Sequence, residues 1–91
     1  MRAISIRQPW VELILRRVKR KEYRSVPTNI RERVYLYASL QPGDSTQDWR
    51  RIRKAPGELP VGRILGTVEI VGCRWNGRLG LFEYDLARPR R

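Results

Sequence analysis

The sequence predicts an α+β fold: a small, partly closed β-barrel of about five or six strands with two helices at its rim. Three observations predict it. The chain has 91 residues, enough for one domain and too few for two cores. Stretches that alternate apolar and polar residues outnumber those with helical spacing. Only two segments, near Trp10 and Trp49, space their apolar residues as helices do.

The elements follow in order. Ile4 and Ile6 alternate with Ala3, Ser5 and Arg7, as in a short strand. Pro9 suits the first turn of a helix, and Trp10, Leu13 and Ile14 form one apolar stripe. Glu12 near the start and Arg16 and Arg17 near the end complement the macrodipole, so a helix is expected over 9–17. Lys21 to Ser25 reads as extended and Val26 to Glu32 as a loop around Pro27, Thr28 and Asn29. From Arg33 to Ser39, Val34, Leu36 and Ala38 share one face, with Tyr35, Tyr37 and Ser39 on the other. Asp44 as N-cap with Gln47 in a capping box should start a second helix reaching about Ala55, before Pro56 and Gly57. Gly62–Trp75 and Leu79–Leu86 complete the strands. The expected organisation is a single domain over 1–91, ending in a basic tail at 87–91 that is expected to fray.

Charge is the strongest global signal. Twenty Lys+Arg against nine Asp+Glu give +11, and all but Lys19, Lys21 and Lys54 of the twenty are arginines. The guanidinium fork matches phosphate oxygens and stacks on bases, so the balance points to a polyanion, with nucleic acid ahead of membrane. A GC-rich codon bias would account for Arg over Lys, but less well for the excess over acids. Cys73 is the only cysteine and there is no histidine, which leaves no disulfide framework and no zinc site, and no cofactor is expected. The opening MRAISIRQPW has no signal-type apolar core, and the longest uncharged run, 34–43, is too short to span a bilayer. No membrane partner and a cytoplasmic location are therefore expected.

Two constellations carry chemistry. In RRVKRKEYRS, residues 16–25, six of ten side chains are cationic and Glu22 sits among them. On a strand, Glu22, Arg24 and Arg20 share a face, opposite Lys21, Tyr23 and Ser25. Such a run is either a solvated surface of weak ion pairs or a binding site. In ILGTVEIVGC, residues 64–73, Glu69 is the only charge and shares a face with Leu65, Thr67, Val71 and Cys73. It is either solvent-facing or buried with a cation. The absence of histidine removes Ser-His-Asp chemistry, and no phosphate-cradling glycine loop occurs. The basic residues Arg50, Arg51, Arg53 and Lys54 of the second helix suit peripheral phosphate contacts.

Residues 17–24, R-V-K-R-K-E-Y-R, match the pattern GxKxxExR at Lys19, Glu22 and Arg24. With AISIRQPW, PTNIRERVYLYAS and LPVGRILGTVEIVGC in the same order, the chain resembles the ASCH domain family, a branch of the PUA-like superfamily. The resemblance runs through nearly the whole chain. It implies a PUA-like β-barrel with flanking helices and a cleft lined by the motif, holding single-stranded RNA or a modified nucleotide. The RNA-facing set would be Arg7, Gln8, Arg17, Lys19, Lys21, Glu22, Arg24 and Ser39. Some small family members resemble N4-acylcytidine amidohydrolases that use a lysine, a threonine and a glutamate, and ribonuclease activity is also described. On that alternative, Lys19 and Glu69 would be catalytic. The sequence departs from the family pattern at Arg17, where glycine is usual, at Glu32 and Tyr37, where glycine and histidine are frequent, and at Glu22, which stands at the threonine position. It also ends early by family standards, so a missing or short closing strand is expected. A third reading is a basic component of a ribonucleoprotein particle.

Overall fold

The computed structural model describes residues 1–91 as five strands and two short helices. In chain order these are β1 (Ala3–Ile6), α1 (Trp10–Leu15), β2 (Lys21–Arg24), β3 (Arg33–Ala38), α2 (Thr46–Arg51), β4 (Arg63–Asn76) and β5 (Leu81–Arg90). One sheet holds all five in the order β1-β3-β4-β5-β2. The β1–β3 pair is parallel and the others antiparallel. Strands β1 and β2 follow each other in the chain yet lie at opposite edges. A six-residue helix, about 9 Å long, stands between them, and the sheet curls into a half-barrel that brings the edges together. At the seam, Arg24 Nη1 of β2 donates to the Ser5 carbonyl of β1 at 3.0 Å. No helix is long and apolar enough to cross a membrane.

The inward rows of the sheet build the core. Ile4 and Ile6, Val34, Leu36 and Ala38, Val68 and Ile70, and Tyr84 and Leu86 pack against Val11, Ile14 and Leu15 of α1. A smaller cluster of Leu13, Trp49 and Ile52 seats α2 on the far side of α1. The alternation read from β3 is reproduced residue by residue. Two bulges in the β4–β5 pairing are not visible as pattern: the register shifts between Thr67 and Glu69 and again between Ile70 and Gly72.

Both helices are shorter than expected, for the same reason. Each ends in a Schellman turn. In α1, the Arg17 N–H donates to Ile14 and the Val18 N–H to Leu13. In α2, the Arg53 N–H donates to Arg50 and the Lys54 N–H to Trp49. The residues at the turns, Arg17 and Arg53, are left-handed, with φ 64° and 57°. The cap of α2 also differs from expectation. Ser45, not Asp44, is the N-cap, and its hydroxyl accepts from the Asp48 N–H at 3.3 Å. Trp10 Nε1 donates to Asp48 Oδ2 at 2.9 Å, which holds Asp48 in the first turn.

The C-terminal segment is a further correction. Residues 87–90 continue β5 instead of fraying, and Arg91 donates to both carboxylate oxygens of Glu12 at 3.3 and 2.8 Å. The strand read as ending at Leu86 therefore runs to Arg90, ten residues in all. Arg16 joins the same carboxylate at 2.6 Å, and the two guanidiniums hold the Glu12 carboxyl below the usual carboxylate range despite its burial.

Candidate nucleic-acid interface

The motif begins where α1 stops. Arg17 occupies the left-handed position of the Schellman turn, which explains why glycine suits it: a Cβ there costs roughly 1–2 kcal/mol. The turn directs the chain into β2 and leaves Lys19 at the strand's mouth, its side chain 19% exposed. We expect Arg17→Gly to stabilise the domain by about 1 kcal/mol in urea unfolding. An unchanged midpoint would mean that the arginine is not strained there.

Glu22 lies between the two motif cations. Its Oε1 is 3.7 Å from Lys19 Nζ and its Oε2 3.8 Å from Arg24 Nη1, with only 13% of its side chain exposed. Burial pushes its carboxyl above the usual carboxylate range, and the charges of Lys19 and Arg24 pull it back only in part. Both separations are ion-pair distances, too long for direct hydrogen bonds. The Lys19 ammonium is thus held by Glu22 as a long ion pair and not by a close hydrogen bond. Its other neighbour is the ring of Tyr23, 5.3 Å from Nζ to the centroid.

A cavity of about 240 Å³ opens beside Lys19. Its floor is Ile14, Val68, Leu86, Ala87 and Pro89, and its rim is Arg17, Lys19, Arg20 and Arg88. No carboxylate lines it. Arg88 reaches the rim because the bulged end of β5 puts it in a left-handed conformation, φ 50°, just before Pro89. Its side chain is also paired with Glu69.

The other sequence candidates are dispersed. Gln8 is fully buried: its Oε1 accepts from the Glu12 N–H at 3.0 Å and its Nε2 donates to the Pro60 carbonyl at 3.1 Å. It fastens the start of α1 and is not exposed to a ligand. Arg7 is exposed beside it. Lys21 points to the outer face, where it meets Glu83 at 2.6 Å and Asp85 at 3.4 Å. Arg74 joins these two acids from β4. Hydrogen bonds from Lys21, Asn76 and Arg74 hold the Glu83 carboxyl down at about 2. Ser39 shares a hydroxyl–hydroxyl bond with Ser5 at 2.7 Å, linking β3 to the edge strand β1. Arg50, Arg51, Arg53 and Lys54 are exposed on and after α2, with Arg51 paired to Asp48 at 3.5 Å.

Glu69 does not meet Lys19. It faces outward beside Arg33 and Arg88 and lines a separate groove with Arg31 and Glu32. Neighbouring Val68 points inward to the cavity floor. The bulge after Ile70 also separates Glu69 from Cys73, which packs against the core. Sequence reading missed Arg88 as a rim residue. Its only signal is the Arg-Pro step inside the segment read as tail.

The family model of the ASCH domain matches residues 4–80. Two curated relatives are similar: Activating signal cointegrator 1 of Homo sapiens, 31% identical over 80 residues, and its Mus musculus counterpart, 32% identical over 80 residues. Each alignment covers 77% of this chain but 14% of the relative, so the chain spans about a seventh of their length. The match takes in the left-handed turn, the Lys19–Glu22–Arg24 cluster and most of the half-barrel, and the chain belongs to the ASCH domain family.

Proposed function

We propose that the domain binds single-stranded RNA, seating one nucleotide in the cavity beside Lys19. The carrying observation is a half-buried ammonium, held only by a long ion pair, at the rim of a cavity it shares with Arg17, Arg20 and Arg88 over an apolar floor. Glu22 sits between Lys19 and Arg24 without using up their hydrogen bonds, which suits preorganised reading of a phosphate or a base edge. A cavity of about 240 Å³ is below the roughly 300–1,000 Å³ of ordinary ligand pockets, a size for one nucleotide rather than a helix. The exposed Arg7 and α2 cations add sequence-independent attraction. A cytoplasmic location fits this reading. An enzyme using Lys19 with Glu69 is less well supported, because the two side chains line different cavities and Lys19's carboxylate neighbour is Glu22.

The test is a gel titration of end-labelled single-stranded RNA without added metal. Lys19→Ala should weaken binding about 10- to 100-fold, the range for losing a charged hydrogen bond. The logarithm of affinity should fall with the logarithm of salt by about 0.7 per neutralised phosphate. Equal binding by wild type and variant would remove the cavity as the site. Shortened RNA with wild type alone would make Lys19 a catalytic residue.

A further inference from the structure

Of the three tryptophans, two are tied into the fold. Trp10 Nε1 donates to Asp48 Oδ2 at 2.9 Å, and Trp49 Nε1 to the Gly43 carbonyl at 2.9 Å. Trp75 is 57% exposed, and its indole N–H has no protein acceptor. It stands near the tip of the β4–β5 hairpin, opposite Phe82, which is in turn opposite Arg24 of the motif. Directly opposed residues leave a sheet on the same face. Arg24, Phe82 and Trp75 therefore form one cross-strand row, continuing the concave face beyond the core. Phe82 meets the indole at a centroid distance of 5.0 Å and an angle of 65°, while packing on the core behind it.

We infer that this row is a stacking platform for an unpaired base of single-stranded RNA, a second subsite that rests on the RNA-binding reading and extends it. Three observations carry it. First, the indole is pre-positioned: the turn beneath it is held by the Asn76 side chain, whose Oδ1 accepts from the Leu79 N–H and whose Nδ2 donates to Glu83, both at 3.0 Å. Second, the local charge suits a polyanion. The hairpin's acids, Glu83 and Asp85, lie on the opposite face and are paired with Lys21 and Arg74, whereas Arg24 shares the platform's row and exposed Arg78 occupies the turn. Third, Phe82 is four residues along β5 from Leu86 of the cavity floor, roughly 13 Å at strand rise. The cavity and the platform would hold different nucleotides of one strand, as aromatic residues and cationic grooves do together in single-strand binders. A second copy of the chain is the less suitable occupant, since each copy carries +11.

The experiment uses the full chain with a short oligouridylate and with an abasic oligonucleotide of the same length. Oligouridylate should quench the wild-type indole emission. Trp75→Ala should abolish that quench and weaken oligouridylate binding about 5- to 100-fold, the range for loss of one base stack. Trp75→Phe should keep most of the affinity, and the abasic strand should bind wild type and Trp75→Ala alike. The platform is overturned if Trp75→Ala binds oligouridylate as wild type does, or loses equal affinity for the abasic strand. It is equally overturned if the substitution only converts a dimer to a monomer in sedimentation. If wild type binds neither strand, the RNA-binding reading fails as well. If Lys19→Ala weakens binding and Trp75→Ala does not, the platform alone fails.

Discussion

Replacing Gly66 by alanine is expected to destabilise the domain by about 3 kcal/mol, at the upper end of the usual cost of overpacking. A Cβ built there would collide with the Arg90 carbonyl oxygen and lie 2.9 Å from Leu15 Cδ2 and 3.1 Å from Arg91 Cα. Two of these atoms are backbone, so no rotamer change relieves the contact. The end of β5 would have to move away from β4. That would disturb the grip of Arg91 on Glu12 and displace Arg88 and Pro89 from the cavity, so RNA affinity should fall along with stability. Urea unfolding checks the first expectation. The control is Gly77→Ala, whose nearest atom would be the Trp75 Nε1 at an ordinary 3.6 Å, with an expected change within about 0.5 kcal/mol. An unchanged midpoint for Gly66→Ala would show that the last residues of β5 are not seated against β4.

The same contact shows what the sequence could and could not convey. Strand β3 was fully legible, because one uninterrupted alternation served one buried face. The cluster at Lys19, Glu22 and Arg24 was legible because its spacing is local to one turn and one strand. The β4–β5 pair was only partly legible. One bulge, at Val71, reverses the inward and outward faces along β4, so Glu69 faces outward while Cys73 and Trp75 fall on the concave side; the other puts its extra residue in β5, and periodicity has no term for an inserted residue. Residues 87–91 read as a basic tail because ARPRR has neither an alternating pattern nor an apolar run. Its order comes from pairing with Thr67 and from Arg91 finding Glu12, 79 positions away. Long-range contacts of that kind decide the cavity rim, and they explain why Arg88 went unread. The exposed Trp75 went unread for a related reason, since burial of one tryptophan and exposure of another depend on where the hairpin ends relative to the core.

Gln8→Ala should separate the two roles that the opening segment could have had. Beside Arg7 and ahead of a basic motif, a glutamine reads as a base-edge reader. In the fold it is 0% exposed, and both ends of its amide are engaged, by the Glu12 N–H and the Pro60 carbonyl. The Gly43 N–H also donates to its backbone carbonyl at 2.7 Å. These bonds tie β1, α1 and the segments either side of α2 together at a fully buried point. Truncation strands a helix N-terminal N–H and a carbonyl and leaves a void, a combined loss of about 3 kcal/mol from unmet polar groups and lost packing. For a domain of this size that is a fall in Tm of roughly 10–20 °C. RNA affinity, measured where the variant is folded, should stay within about twofold of wild type, because no part of Gln8 reaches the cavity. The opposite pattern, unchanged Tm with affinity lost as in Lys19→Ala, would return Gln8 to the RNA-facing set. It would also mean that the start of α1 opens on binding, since the amide is reachable only if its bonds to Glu12 and Pro60 are broken.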